Sequence, residues 1–337
     1  MRNNLELMLI ESAKISKNNI CIITGDEPEL FTRSNYVIRK FFKAIALMIS
    51  HIDLGIKINK YKDKDAIIVY AFSTEFLLLS FLVSFWTKNV YLVNSHNIQQ
   101  AYKSPIMNWI LKLCHHLGYK FFVLETSAIL MDLGYQEKDL DRHVSLPHSV
   151  MSSENITDRV ELQISKKKKI GIIGESRQGK KFSRTLDLML NISRKLDVVL
   201  AIGTNDFSCF DGMDLHGIEL IDTSTNDAYM SALSACDAIV LNYEKSKYFY
   251  RCSGVAADAI SVKTYVVCPD FPLMSSQVNY PAQVGVVYQD EQGLEIALRQ
   301  ALELASNSDQ SGFESHYRER SIIKAASIID RAIQDNA

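Results

Sequence analysis

Short apolar runs rich in valine and isoleucine alternate with longer amphipathic segments, and this alternation limits the fold more than any other feature of the sequence. Short apolar runs bounded by polar residues are typical of strands buried on both faces of a parallel sheet. In the first half, the expected strands are 20–25, 66–70, 90–94, 120–124 and 143–150, and the expected helices are 33–50, 74–86 and 104–116. Strands that alternate with helices predict a doubly wound α/β sheet.

The second half repeats this alternation without visible sequence repetition. Its expected strands are 169–173, 197–202, 217–221, 237–241, 264–267 and 284–288, and its expected helices are 180–195, 226–235, 253–262, 290–305 and 315–334. Polar residues at 151–165 and lysines at 166–169 are typical of a solvated linker between domains. We therefore expect two Rossmann-like α/β domains in tandem, 1–150 and 166–316, with a cleft between them and a helix at 317–337 that packs back on the first.

Composition excludes several classes of protein. With 47% hydrophobic and 23% charged residues, the chain is expected to be an ordinary soluble globular protein. A net charge of −2 gives no reason to expect nucleic acid as a partner. The six cysteines form no C-x-x-C pair, which favours free thiols in a reducing cytosol. The apolar segment 76–86 is shorter than the roughly 20 residues of a membrane-spanning helix. The expected location is cytoplasmic.

Residues 174–181, GESRQGKK, follow a predicted strand and begin a predicted helix. They match the G-x-x-x-x-G-K of a nucleotide phosphate loop, but Lys181 stands where a hydroxyl should hold Mg²⁺. An ATPase would also need an acidic residue after another strand, and Asp222 is the candidate. Because a helix N-terminus carries partial positive charge, Arg177 and Lys180 suggest a bound anion there. A solvated basic turn explains the same residues, so these interpretations stay open at this point.

Residues 237–272 contain a second candidate anion site. A buried strand leads into a polar, aromatic loop, and Ser253 and Gly254 then begin a helix. Serine is a favoured N-cap, and a glycine in the first turn lets a ligand approach unpaired backbone N–H groups. Arg251 could add a charged contact, and Asp258 could accept hydrogen bonds from sugar hydroxyls. A plain helix cap and a solvated carboxylate remain the alternatives for these residues.

Together, the two segments resemble the C-terminal domain of glycosyltransferases with the GT-B fold, of the family-4-like kind found in bacterial polysaccharide biosynthesis. That family carries G-x-x-R-x-x-K-G early in the domain, where this chain has GESRQGKK. It later carries a strand ending v-l-P-Y, a polar loop and S-G-v-x-x-[DE]-A, where this chain has SACDAIVLNYEKSKYFYRCSGVAADA. Spacing and chain order agree over the whole domain, and agreement is looser in the N-terminal half.

The resemblance implies a donor site for a nucleotide-diphospho sugar. Arg177 and Lys180 would neutralise the diphosphate, and the helix start at Ser253, Gly254 and Val255 would hold it through backbone N–H groups. Asp258 would match the acidic residue that binds the donor ribose. In many relatives a further glutamate precedes this residue by eight positions, and here that position is Tyr250. The missing carboxylate leaves the donor sugar undefined. The implied donor residues are Arg177, Lys180, Tyr250, Arg251, Ser253, Gly254, Val255 and Asp258.

The resemblance assigns the acceptor to the first domain. His96 follows the predicted strand 90–94, at the place where this fold often puts a histidine facing the reaction centre. With a pKa near neutrality it could act as general base toward an acceptor hydroxyl, or it could only position substrate. A structural histidine is the plainer interpretation. Arg33 and Asn97 are predicted to contact the acceptor.

The helix expected at 33–50 carries basic residues beside Phe41 and Phe42. Such a basic, aromatic face could rest on anionic lipid at the inner face of the cell membrane. The plainer interpretation, which we favour from sequence alone, puts the phenylalanines in the core. Membrane contact would suit an enzyme whose acceptor is a lipid-linked sugar.

The sequence therefore predicts a glycosyltransferase of hexosyltransferase type, acting on a saccharide or lipid-linked acceptor. No His/Cys ligand cluster occurs, and basic side chains and helix N-termini can stabilise the leaving diphosphate, so we expect neither metal nor cofactor. The alternatives are a nucleotide-sugar epimerase or hydrolase of the same fold, and a protein that binds sugar nucleotides without turnover.

Overall fold

The computed structural model describes residues 4–24, 36–84, 87–94, 96–150, 167–174, 182–207, 210, 217–307 and 309–335. The described chain divides into two compact units, one formed by Met1–Pro147 with Ile322–Ala337 and the other by His148–Ser321. The first unit therefore contains both ends of the chain.

The first unit contains a five-stranded parallel sheet. Its elements are α1 (Asn4–Ile15), β1 (Ile20–Thr24), α2 (Tyr36–Lys60), β2 (Ala66–Tyr70), α3 (Leu77–Val83), β3 (Val90–Asn94), α4 (Asn97–Lys103), α5 (Pro105–His116), β4 (Lys120–Leu124), α6 (Glu137–Leu140) and β5 (His143–Leu146), with 3₁₀ turns at Thr74–Phe76 and Ser127–Leu133. The chain's last helix also belongs to this unit. The five strands that the sequence predicts are confirmed, although β5 ends at Leu146, whereas α1 and α4 were not expected.

The strands of the first sheet lie in chain order, β1-β2-β3-β4-β5, and all are parallel. A doubly wound sheet reverses this order at one point, and the described strands of this sheet do not. Because each crossover moves in the same direction and is right-handed, the crossover helices lie on one face of the sheet. The other face needs a different cover.

That cover comes from helices at the two ends of the chain. On β3, the Tyr91 hydroxyl donates a hydrogen bond to the Ala332 carbonyl at 3.2 Å, and its ring stacks on Phe122 of β4. Asn18, just after α1, donates to the Asp330 carboxylate at 2.8 Å. Ala332 and Asp330 belong to the last helix, whose inner residues, including Ile329, are buried. The apolar side of this helix therefore packs on a sheet whose contacting residue Tyr91 lies 241 residues earlier in the chain.

The second unit contains a six-stranded parallel sheet. Its elements are β6 (Lys169–Ile173), α7 (Phe182–Leu196), β7 (Val199–Thr204), β8 (Ile218–Asp222), α8 (Asn226–Ser234), β9 (Ala238–Val240), α9 (Lys245–Tyr248), α10 (Gly254–Ser261), β10 (Tyr265–Pro269), α11 (Pro272–Asn279), β11 (Gly285–Tyr288), α12 (Glu291–Ser306) and α13 (Ser311–Glu319). The helix that returns to the first unit is α14 (Ile322–Gln334). The six predicted strands are confirmed.

The single helix expected at 315–334 is divided into α13 and α14. The break lies at Arg320, whose buried guanidinium donates hydrogen bonds to the carbonyls of Ser276 and Tyr280 at 3.1 and 2.7 Å. The Arg320 carbonyl in turn accepts from the Val150 backbone N–H at 3.1 Å. These contacts fix the chain where it leaves the second unit, so the helical pattern is interrupted although both segments are helical.

The second sheet has the order β11-β10-β9-β6-β7-β8. The order reverses between β6 and β9, which are paired side by side. Ligands of open α/β sheets bind beyond the carboxyl ends of the strands at such a reversal, because the crossovers on its two sides diverge and leave a crevice. The reversal therefore directs attention to the segments that follow β6 and β9.

Candidate functional site

The segment that follows β6 leaves the sheet at the strand reversal. Gly174, directly after β6, has a φ of 120°, a conformation that favours glycine and turns the chain sharply. Arg177 and Lys180 come next and lie outside the described residues, as does Arg33 of the first unit. The expectation that Arg177 and Lys180 meet a diphosphate stays a prediction, but the strand that carries them to this edge is in place.

Asp222 does not support the ATPase interpretation of residues 174–181. It ends β8, which lies at the edge of the sheet and is separated from β6 by β7. Two strand spacings place β8 about 10 Å from β6. Both Asp222 oxygens accept hydrogen bonds from Ser224, at 2.9 and 3.1 Å. The Asp222 carboxylate is thus engaged within its own turn, and Lys181 stands where the Mg²⁺-binding hydroxyl of a phosphate loop should be.

The N-terminus of α10 opens at the same edge of the sheet, because α10 connects β9 to β10. Ser253 is its N-cap, and the Ser253 Oγ accepts a hydrogen bond from the Ala256 backbone N–H at 3.2 Å. No described residue supplies an acceptor for the backbone N–H of Gly254 or Val255. A Cβ built on Gly254 would have no atom within 4 Å, so the space over this turn is open. The turn thus presents two N–H donors with the positive end of a helix.

Ser253 is held by two side chains that the sequence patterns did not single out. The Gln277 side-chain amide accepts from the Ser253 N–H at 2.7 Å and donates to the Ser253 carbonyl at 3.1 Å. The Tyr243 hydroxyl lies 3.2 Å from the Ser253 Oγ. Gln277 and Tyr243 are both buried. The helix start is therefore rigid before any ligand arrives, which favours anion binding because little ordering remains to be done.

Asn242 links three elements at the carboxyl end of β9. It stands where the resembling family has proline in v-l-P-Y. The Asn242 Nδ2 donates to the Thr185 hydroxyl of α7 at 2.9 Å, and its Oδ1 lies 3.1 Å from the Tyr288 hydroxyl of β11. The Tyr288 hydroxyl also lies 3.0 Å from the Leu241 carbonyl. Asn242 therefore fixes the start of α7, the helix that follows the basic segment 175–181.

Asp258 lies one turn along α10 from Gly254, on the same side of the helix. The Tyr229 hydroxyl of α8 donates a hydrogen bond to Asp258 Oδ2 at 3.0 Å. Burial raises the pKa of Tyr229 well above its usual range, and the Asp258 charge raises it further. Tyr229 therefore remains a hydrogen-bond donor at all working pH values and orients the carboxylate. No sequence pattern pointed to this partner, which lies 29 residues away.

Arg251 and Tyr250 lie in the loop before α10. The Arg251 guanidinium is 5.1 Å from the centre of the Tyr248 ring, a cation–π contact that places a positive charge near the helix start. The Tyr250 side chain is buried and packs edge-on against Phe249, with ring centres 4.7 Å apart. Tyr250 thus fills the loop interior, and a contact between its side chain and a donor sugar stays a prediction.

In the first unit, His96 and Asn97 follow the carboxyl end of β3. His96 is exposed and is the N-cap residue of α4, without a side-chain capping bond. Asn97 is buried, and its Nδ2 donates to the Phe72 carbonyl at 3.2 Å and to the Thr74 hydroxyl at 2.9 Å. The Asn97 amide therefore connects α4 to the segment after β2, and its contact with an acceptor stays a prediction.

Asn94, the last residue of β3, is a polar group that the sequence analysis passed over. Its side chain is 1% exposed, and neither amide atom has a hydrogen-bond partner among the described residues. An unsatisfied buried amide costs about 1–3 kcal/mol, so such a group usually has water or a ligand beside it. It lies two residues before His96, at the edge of the sheet where the acceptor is expected.

No group of three or more metal-ligating side chains occurs within the described ranges. In those same ranges, no helix combines the length and apolar character needed to cross a membrane.

No protein-family model and no curated protein matches this chain. Among solved structures, it is similar to a glycosyltransferase from Rickettsia africae ESF-5, with a TM-score of 0.62, 14% identity, and coverage of 100% of this chain and 96% of that one. It is also similar to Anabaena Alr3699/HepE in complex with UDP, with a TM-score of 0.62, 12% identity, and coverage of 99% and 97%. TarM aligns with a TM-score of 0.53 and 13% identity over 83% of this chain.

This chain spans only 58% of the length of TarM. At these identities the similarities show the fold alone, and that fold is the one shared by GT-B glycosyltransferases. The expected fold class is thereby confirmed.

Proposed function

We propose that the protein is a glycosyltransferase that moves a sugar from a nucleotide-diphospho sugar to a saccharide acceptor. The observation that carries the proposal is the N-terminus of α10 at the strand reversal, where the space beside Gly254 is open and the N–H groups of Gly254 and Val255 have no acceptor among the described residues. A diphosphate fits this turn because it can accept both hydrogen bonds and its charge is stabilised by the helix end. Arg177 and Lys180, which leave the adjacent strand, would neutralise the rest.

The same arrangement suits bond cleavage. When the bond between the anomeric carbon and the diphosphate breaks, negative charge grows on the leaving phosphate oxygen. Donors already aimed at that oxygen stabilise the transition state more than the ground state. In this proposal Asp258 holds the ribose, and the basic residues and the α10 N–H groups do the work that a metal does in other transferases. His96 would accept the proton of the attacking acceptor hydroxyl.

Two similar structures suggest the first donor to test. Anabaena Alr3699/HepE is described with UDP and with UDP and glucose. We therefore propose a UDP-hexose as the first candidate donor. We further propose a lipid-linked saccharide acceptor, met at the cytoplasmic face of the cell membrane.

A thermal-shift screen of nucleoside diphosphates tests the donor site, because a ligand that binds only the folded protein raises its Tm. The nucleotide found should then give labelled product on a saccharide or membrane-lipid extract when supplied as its sugar conjugate. Epimerised donor, free sugar without an acceptor, or binding without any turnover would each contradict the transferase proposal. No shift with any nucleotide would contradict the site itself. Activity should persist in EDTA.

Gly254→Val is the sharpest variant for the site. The side chain enters open space, so the fold should be preserved, but it occupies the room over the two N–H donors. We expect nucleoside-diphosphate binding to weaken by at least about tenfold, which is the loss of one charge-assisted hydrogen bond. Gly293→Ala, in the first turn of α12 of the same unit, is the matched control and should leave binding unchanged. Arg177→Ala should weaken binding by about 1.5–3 kcal/mol.

A further inference from the structure

The outer face of α2 exposes a continuous row of large apolar side chains. Its members are each between 37% and 62% exposed, and they are Phe42, Ile45, Met48, Ile49, Ile52 and Ile56. At 3.6 residues per turn these positions fall within an arc of about 120° and extend over about 21 Å of helix. Scattered exposed apolar residues are ordinary, but a contiguous row on one helix marks an interaction site. We call these six residues the α2 apolar face.

The α2 apolar face is separate from the packing of the fold. The opposite side of α2 buries Leu54 and Ile58 against the first unit. Gly55 lets α3 approach closely, since a Cβ there would lie 2.6 Å from the Ser80 carbonyl oxygen. On α3, Leu82 is also exposed. The helix is thus apolar on two sides, and among the described residues one of them is packed in the core of the unit while the other is exposed. For Phe42, the sequence-based interpretation as a core residue is wrong.

The charges beside this face are mostly positive. Residues 42–60 contain three lysines, Lys43, Lys57 and Lys60, and one acid, Asp53. The helical repeat places all four along the same border of the apolar face. Asp53 forms an ion pair with Lys57 at 2.8 Å, so its charge is offset within the helix. Long lysine side chains can reach past an apolar surface and place their ammonium groups among polar headgroups.

We propose that the α2 apolar face docks on an anionic lipid bilayer, with the helix in the plane of the interface. An apolar row bordered by lysines is the pattern that binds such surfaces, by burying the row among acyl chains and attracting anionic headgroups. A second copy of the chain fits less well. In a two-fold antiparallel pair each border meets the same border of its partner, so lysines would face lysines. Charge complementarity therefore selects the lipid surface.

The functional role of this docking rests on the proposed function, because a transferase with a lipid-linked acceptor must work at the membrane surface. The contact itself depends only on the first unit. The donor site belongs to the second unit, so the two proposals can fail separately.

Flotation of the full chain with vesicles tests the docking. The protein should bind vesicles of phosphatidylcholine with about 30% phosphatidylglycerol, and should bind pure phosphatidylcholine at least about tenfold more weakly. Ile49→Glu puts a charge in the middle of the apolar face and should reduce binding to the mixed vesicles at least about tenfold. Ile296→Glu is the matched control: Ile49 is 62% exposed and Ile296, on α12 of the second unit, is 60% exposed. This control should bind as the unchanged protein does.

Lys60→Gln gives a second, milder test, because it leaves the apolar row intact. One lysine near an anionic surface contributes about 1 kcal/mol, so binding to mixed vesicles should fall about fivefold at low salt, and less at high salt. Absence of vesicle binding, or binding that Ile49→Glu leaves unchanged, would overturn the proposal. A dimer in sedimentation that Ile49→Glu dissociates would assign the face to a second copy instead. Nucleoside-diphosphate binding by Ile49→Glu, measured in parallel, shows whether the donor site is intact.

Discussion

The two sheets are built from the same alternation of strands and helices, yet only one of them reverses its strand order. The second sheet reverses between β6 and β9, and the candidate donor residues gather at the carboxyl end of that pair. The first sheet follows chain order through its described strands and relies on α1 and α14 to cover one face. Strand order, more than strand content, therefore decides where the candidate site forms.

The largest effect we expect concerns the dependence of the first sheet on the end of the chain. Ile329→Ala removes a buried side chain of α14 and should lower the free energy of unfolding of the first unit by about 2–4 kcal/mol. Ile323→Ala, on the same helix but 70% exposed, should change it by less than about 0.5 kcal/mol. Denaturant unfolding of both variants makes the measurement. Equal effects would mean that α14 is not a structural part of the first unit.

A second difference between the units is a buried histidine pair in the first. His115 and His143 lie with ring centres 4.7 Å apart, and neither nitrogen of His143 has a hydrogen-bond partner among the described residues. Burial, together with the neighbouring His115, lowers the pKa of His143 to about 3. Burial also lowers the pKa of His115 itself, against the opposing charge of Asp139.

Because the unfolded chain binds a proton at His143 near pH 6.5 and the folded chain does not, stability should fall as pH drops below about 6.5. The loss from this residue between pH 6.5 and 5 should be about 2 kcal/mol, and it should continue toward pH 3. His143→Phe keeps a ring against Phe121 and removes the titration, so its unfolding free energy should change less between pH 7 and pH 5. Parallel pH profiles for the two proteins would refute this account.

The strand reversal of the second sheet can be probed at Asn242. Asn242→Ala leaves the buried hydroxyl of Thr185 without its donor and should cost about 1–2 kcal/mol of stability in the second unit. It should also weaken nucleoside-diphosphate binding, since α7 is no longer held beside β9. Asn279→Ala, at an exposed position of the same unit, is the control. If Asn242→Ala lowers stability but leaves nucleotide affinity unchanged, the contacts of Asn242 at the strand reversal do not contribute to nucleotide binding.

The smallest effect should come from Tyr229. Tyr229→Phe removes the hydrogen bond to Asp258 and should weaken nucleoside-diphosphate binding about fivefold, or about 1 kcal/mol. Titration calorimetry gives the measurement, with Tyr280→Phe as a control at an exposed tyrosine of the same unit. If Asp258→Ala binds as tightly as the unchanged protein, the carboxylate lies outside the nucleotide site and the role of Tyr229 is lost with it.

Much of the fold could be predicted because its signals are local. The strands ICIIT, AIIVY and VYLVN can be recognised from the composition of five consecutive residues. The helix cap at Ser253 can be recognised because a serine precedes a helical pattern. The partners could not be predicted, because they are distant in sequence. Asn242 forms a hydrogen bond with Thr185, which is 57 residues away in the sequence, and Gln277 forms hydrogen bonds with Ser253, which is 24 residues away. The exposed side of α2 was missed for the same reason, since its sequence is apolar on both sides and does not say which side is covered.

Local sequence patterns are enough to predict two α/β units, and to predict that one of them carries a glycine-rich basic segment and a capped helix after buried strands. Hydrophobic periodicity and capping act over a few residues, so they can be read along the chain. In contrast, the folded structure was needed to show that β6 and β9 are neighbours, that α14 completes the first unit, and that the α2 apolar face is exposed. These three features depend on which surfaces of the sheets and helices are covered in the folded protein. Packing between segments that are distant in sequence determines which surfaces are covered.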